Sequence, residues 1–394
     1  MTAVPARRAR LVLLLGVGLV GLLAGAGCAE VPEPAAAPQV TGPPAPAVLP
    51  EQSERVRGEV AARLLAAQVA GDEALLAGAA TGPAALLEAL RVRVDGPLPA
   101  AEATRPVPAA VLVAPQGSGW PRWFATVTDP STAPAAEPSP AASGEGVEGQ
   151  AVVAELPVVE LYTSEAARLP YRLWARLTML PGATLPAFPA AEVGAAPLAG
   201  AVPAGAVPAG AVPSGRPSAA PAVSAPAVGP SVGSDVDAAD DAGLLAAVAG
   251  LAQRYASVMS DGDASPSAAE FEPDPFVEAV RARAAAEGQA VASVADTTLA
   301  YGPLDGVEVL FTVRAANGDV LAVTAVETTV TMTVRPGAGE LRPGTEVRAA
   351  TGVEEVEGTL TTRSVAALAF LVPAEQGAIR LVAVGEGLVS ASAG

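Results

Sequence analysis

The chain has 394 residues, with 41 acidic against 23 basic side chains and a formal net charge of −18, a balance that opposes nucleic acid as a partner because phosphates are neutralised by clustered Lys and Arg. Histidine is absent, every basic side chain is arginine and Cys28 is the single cysteine. That inventory excludes a Ser-His-Asp triad, a Cys-His pair, a lysine Schiff base, a His-ligated zinc and any intramolecular disulfide.

Residues 11–28, LVLLLGVGLVGLLAGAGC, follow Arg7, Arg8 and Arg10. A basic start, an apolar run shorter than the roughly 18 residues of a spanning helix and small residues before a cleavage point predict a signal peptide over 1–27. Gly25, Ala26 and Gly27 before Cys28 resemble the lipobox of bacterial lipoproteins, with Gly25 in the place usually held by Leu, Val or Ile. The resemblance implies acylation of Cys28, and with it a lipid bilayer as partner and a lipid anchor at the extracytoplasmic face of the cell membrane. Residues 28–49 are dense in Pro and Ala without a hydrophobic period, and read as an extended tether.

A first domain is expected over 50–186. Val56, Val60, Leu64 and Ala67 recur at helical spacing, with Glu54, Arg55, Arg57, Glu59 and Arg63 assigned to the solvent face. Thr81, Gly82 and Pro83 open a second helix carrying Leu86, Leu87 and Leu90. The period then switches to two, predicting strands at 111–113, 123–128, 158–163 and 171–180. Residues 130–149, rich in Ala, Pro, Ser and Gly, read as a disordered insert in a hairpin.

Residues 187–238 carry three copies of AGAVP, too short and too Pro-rich for a solenoid, and are expected as a linker. A second domain follows over 239–390. Leu244, Val248, Leu251, Tyr255 and Val258 form an apolar stripe, and Asp274-Pro275 reads as the N-cap and first position of a helix through Phe276, Val280 and Val291. Val307, Val309, Phe311 and Val313 alternate, Asn317-Gly318 is the favoured two-residue hairpin turn, and Leu321, Val323 and Ala325 return. Strands at 326–334, 361–372 and 379–384 complete the expected sheet.

The predicted fold class is α+β: two domains, each with helices packed on a curved antiparallel sheet, joined by a disordered Pro/Ala linker. A long first helix before a curved meander resembles the cystatin-like cone of the nuclear-transport-factor-2-like superfamily. The lipobox-like start, PRWFAT at 121–126, PYRLWARLTMLPGATLP at 170–186 and DPF at 274–276 together resemble an actinobacterial lipoprotein family that carries a domain of unknown function. That resemblance implies an address and an architecture and assigns no catalytic residue.

Three constellations carry chemistry. Asp261, Asp263, Ser265 and Glu272 fall at the first, third, fifth and twelfth places of a calcium loop, but Pro266 stands where the sharp turn needs glycine, so no metal is expected. Glu354, Glu355 and Glu357 near Arg348 and Arg363 offer the carboxylates of a glycosidase, at a spacing that suits an exposed strand. Trp123, Arg172, Trp174 and Arg176 are the candidate ligand wall, since period two puts Arg172, Trp174 and Arg176 on one face. These observations favour a non-catalytic binding or scaffolding module of the cell envelope, without cofactor, facing an envelope protein or glycan. The alternative is a carboxylate-dependent hydrolase of cell-wall glycan, and absent βαβ alternation argues against a substrate-binding protein of an import system.

Overall fold

Pro50 sits in the first turn of helix α1 (Pro50–Ala70), where its missing N–H costs nothing, and the Gln52 side chain accepts from the Leu49 N–H at 3.0 Å. Gly71 ends the helix in the left-handed region at φ 62°, its N–H turned back to Ala67 and Gln68. Helix α2 (Gly82–Asp95) opens on Gly82 and Pro83 as expected. The computed structural model describes residues 47–97, 109–114, 120–128, 156–188, 246–307, 311–375 and 377–394, all within the compact unit Pro44–Gly394. The expected signal segment, Cys28, the insert at 130–149 and most of the tether and linker lie outside the described residues.

Four strands follow the first two helices: β1 (Ala109–Val113), β2 (Arg122–Thr128), β3 (Val158–Ser164) and β4 (Arg172–Met179). In the second half come α3 (Leu251–Asp261), α4 (Pro275–Val291), β5 (Ala295–Pro303), β6 (Phe311–Arg314), β7 (Val320–Val334), α5 (Thr345–Thr351), β8 (Thr359–Val372) and β9 (Arg380–Ala393). Asp274 caps α4, its carboxylate accepting from the N–H groups of Phe276 and Val277 at 3.0 and 2.9 Å. Strand β5 has no counterpart in the sequence reading. The strands expected at 321–325 and 326–334 are one 15-residue strand, β7. Between β6 and β7, Arg314 pairs with Val320 and the Ala315 N–H donates to the Asp319 carbonyl, so the loop holds three residues rather than two, with Gly318 at φ 91°.

The fold is α+β, and the halves expected as two domains share a single nine-stranded antiparallel sheet in the order β1-β2-β3-β4-β9-β8-β7-β5, with β6 also paired to β7. The seam is narrow. Thr178 pairs with Val384 and Met179 with Ala383, and the Leu180 N–H donates to the Val382 carbonyl at 2.9 Å. Gly385 makes this approach feasible, because a Cβ there would overlap the Arg176 carbonyl.

The sheet curls until the inner faces of its ends meet. Trp123 of β2 stacks on Phe311 of β6 with centroids 3.9 Å apart, and Leu161, Trp174 and Leu177 share one core with Leu321, Val323, Val365 and Leu371. Leu185 and Phe188, beyond β4, pack on that same core. A shared core is the physical reason the halves are not separate domains: neither inner face is covered by its own helices. Those helices lie on the outer faces, α1 and α2 over Phe124, Tyr162 and Leu173, and α3 and α4 over Val320, Leu368 and Phe370.

Candidate functional site

The structure keeps Trp123, Arg172 and Trp174 of the expected ligand wall on one face of the sheet and turns Arg176 to the other. A β-bulge falls at Trp174: Leu173 pairs with Tyr162, yet Ala175 pairs with the adjacent Leu161. One extra residue inverts the alternation, so Arg172, opposite Thr163, and Arg176, opposite Glu160, lie on opposite faces. Trp174 is 3% exposed inside the shared core, and Trp123 is held by Phe311. Arg172 is paired with Glu165. These tryptophans serve packing, and the two arginines form no common anion site.

Arg176, itself half exposed, reaches instead into a charge network whose other members, Glu160, Arg57 and Glu88, are buried beneath α1 and α2. Its Nε donates to Glu160 Oε1 at 3.1 Å, while Arg57 Nε donates to Glu160 Oε2 at 3.1 Å and the Tyr162 hydroxyl to the same oxygen at 2.8 Å. Glu88 of α2, also buried, accepts from Gln68 at 3.0 Å and lies 3.9 Å from Arg176. Burial alone would raise the Glu160 carboxyl, but Arg176 and Arg57 with the Tyr162 hydroxyl outweigh it and hold it below the usual carboxylate range. Burial, reinforced by Glu160, pushes the Tyr162 hydroxyl far up. Every carboxylate oxygen of Glu160 is engaged, so this network holds helices to sheet.

Arg57 was assigned to the solvent face and is 3% exposed. The buried positions of α1 are Ser53, Arg57, Val60, Leu64 and Ala67. That set follows helical spacing as well as the set beginning at Val56 does. The signal is present in the spacing, but residue type points the other way.

The open site of the fold lies on the opposite half. Between α4 and the far ends of β5, β7, β8 and β9, bounded on its third side by residues 341–344 and α5, runs a trough of about 630 Å3. Register builds its floor. Tyr301 pairs with Thr328 and Thr328 with Ser364; Leu299 pairs with Val330 and Val330 with Thr362; Thr297 pairs with Met332 and Met332 with Leu360. Each row crosses three strands on one face, and the rows grade from hydroxyls at one end to Met332 and Leu360 at the other.

Val280, Ala284 and Val291 of α4 form the roof. At the rim Arg283 makes a two-point pair with Glu386, both bonds 2.9 Å, beside Glu287, Arg342 and Glu346. Leu299 remains 38% exposed, and Val330 and Met332 are half-buried. The hydroxyls of Tyr301 and Thr297 on β5 are shut off from solvent and have no hydrogen-bond partner among the described residues. Burial raises the Tyr301 hydroxyl, and the nearby Arg281 and Arg283 guanidinium groups oppose that shift. Val330 and Met332 become a floor only when set against the unexpected strand β5. The alternation Thr297, Leu299, Tyr301 is the signal that marks it.

The remaining constellations sit on the surface. Glu354 pairs with Arg348 at 3.3 Å and Glu355 with Arg342 at 2.8 Å, while Arg363 pairs with Glu327 of β7. Ser265 Oγ is 2.8 Å from Ser257 Oγ and accepts from the Ser267 N–H at 3.2 Å, closing a turn between α3 and α4. Among the described residues no group of three or more carboxylate, His or Cys side chains is placed to hold a metal ion, and no helix is long and apolar enough to cross a membrane. Compared with family models, with curated proteins and with solved structures, the chain matches none.

Proposed function

We propose that this chain is a lipoprotein held at the extracytoplasmic face of the cell membrane by acylated Cys28, and that it is a non-catalytic binding module for a small amphipathic molecule of the envelope. The trough carries the reading. Its volume falls within the roughly 300–1,000 Å3 of small-molecule sites, and its lining is amphipathic, with Val280, Leu299, Val330 and Met332 set against the charged Arg283, Glu287, Arg342, Glu346 and Glu386. An apolar body in the trough covers Leu299, Val330 and Met332.

Titration with cis-parinaric acid, a fluorescent amphipathic carboxylate, tests the site. Saturable binding is expected, with Met332→Glu weakening it about tenfold or more by placing an uncompensated charge in the apolar end. Tyr301→Phe is expected to leave binding within about twofold of the parent, since its hydroxyl faces no solvent, with the melting temperature unchanged or raised because the change deletes an unpaired group. Non-saturable uptake, or equal affinity in Met332→Glu, refutes the trough as the site. The anchor is tested separately: Cys28→Ala is expected to release the protein from membranes or to leave an uncleaved precursor. Membrane retention of a cleaved variant refutes acylation.

A further inference from the structure

Five large hydrophobic side chains stand exposed among the described residues, and three of them gather at one end of the sheet: Leu49 at 50%, Trp120 at 39% and Leu169 at 49%. Contacts link the segments that carry them. Arg122, at the start of β2, lies over the Trp120 ring at 5.0 Å and pairs across the sheet with Ser164, the last residue of β3. Ser164 Oγ donates to the Leu169 carbonyl at 2.8 Å within the β3–β4 turn. The Tyr171 hydroxyl, which closes that turn, donates to the Ala47 carbonyl at 3.0 Å, and Ala47 leads directly to Leu49.

We infer that this end of the sheet is a membrane-contacting surface, whose Trp120, Leu169 and Leu49 side chains enter the headgroup region of a phospholipid bilayer. A large amphipathic ring and exposed leucines beside arginines are the composition of an interfacial contact, the arginine stems lying along apolar surface with their charge at the phosphates. In a chain of net charge −18 this end carries Arg122, Arg168 and Arg172 against Glu51 and Glu165, the last already paired with Arg172. It is therefore a locally basic spot on an acidic protein. It is also the end at which residues 1–46 join the described fold, with Cys28 nineteen residues before Ala47. At about 3.3–3.6 Å per residue that span allows at most roughly 65 Å between anchor and tip, so an anchored chain presents this end to the bilayer at high effective concentration. From the proposed function the inference takes only the place of Cys28, and it is independent of the trough.

The test uses the full chain reconstituted into phosphatidylcholine vesicles containing phosphatidylglycerol, with and without dibrominated phosphatidylcholine as a quencher. Trp123 and Trp174 are packed in the core, so Trp120 alone is expected to be quenched. The loss is roughly a third of the emission, the share of one tryptophan in three. Trp120→Phe is expected to abolish the quenching, and Leu169→Ser with Leu49→Ser to reduce it at least twofold while the chain still floats with the vesicles. Equal quenching in parent and Trp120→Phe overturns the inference, as does a chain that floats without quenching. The second result leaves the anchor standing, whereas a chain that fails to float overturns both. A blue shift of Trp120 emission with rising protein concentration and doubled mass, in the absence of vesicles, would assign the patch to a second copy and likewise overturn it.

Discussion

The two halves of the sheet are covered by helices in opposite ways. Over β3 and β4 the outer face carries Glu160 and Arg176, and α1 and α2 close on it by supplying Arg57, Gln68 and Glu88. Over β5, β7 and β8 the corresponding floor is threonine, valine and methionine, and α4 stands away from it to leave the trough. The difference follows from what burial demands. A carboxylate taken out of water must be fully paired or the fold fails, so the first layer shuts tightly; hydroxyls and half-buried aliphatics tolerate a gap at small cost, so the second can stay open.

The largest expected effect breaks the closed half. Arg57→Met leaves Glu160 buried with Arg176 and Tyr162 as its remaining partners, and should cost about 3–5 kcal/mol in urea unfolding. Adding Glu160→Met should recover at least half of the loss, because an apolar pair removes the uncompensated charge. Next is Gly82→Ala. Gly82 has φ +57° and its Cβ would overlap the Trp174 indole, so a loss of about 2–3 kcal/mol with a shifted tryptophan emission is expected.

Acid sharpens the comparison through two buried carboxyls of opposite sign. Glu160 is held below its ordinary 4.5 in the folded state, so its contribution is full above that value and is lost as pH falls through the lower folded one. Glu160→Gln should flatten that part of the acid limb in stability measured against pH. Asp274 is raised above its ordinary 3.8, first by burial, despite bonds from the Val277 N–H, the Tyr255 hydroxyl and the Phe276 N–H. Ionised, it opposes folding, and the penalty fades as pH drops through its raised value. Asp274→Asn keeps the cap and should change neutral-pH stability by less than about 1 kcal/mol. Smallest is Tyr301→Phe in the open half, at zero to about 1 kcal/mol of stabilisation in the same unfolding assay.

Much of this fold is legible in the chain. Pro83 and Pro275 mark first turns, Asp274 a cap, and the alternation of 171–180 and of 321–325 marks strands. Local rules suffice there, because caps and periodicity depend on a few neighbouring residues. Strand β5 escaped because as an edge strand it pairs only with β7 and lines an open trough, so Thr297, Leu299 and Tyr301 lack the apolar density of a core strand. Arg57 escaped because an arginine is normally solvated, and its burial rests on Glu160, 103 residues away, together with Glu54 one turn back in α1. A single bulge at Trp174, which no alternation can announce, takes Arg176 off the face that Trp123, Arg172 and Trp174 share.

By itself the sequence determined the exclusions, the helix starts, the strand-rich meanders and the lipobox-like beginning, since each rests on residue type and short-range spacing. Only the tertiary structure decided that two expected domains are one curled sheet. The deciding contacts are the two residue pairs between β4 and β9 and the stacking of Trp123 on Phe311, made by residues far apart in the chain. It decided the site in the same way. A trough exists where α4 and four strands leave space between them, and space between elements is a property of their packing, which no stretch of sequence contains.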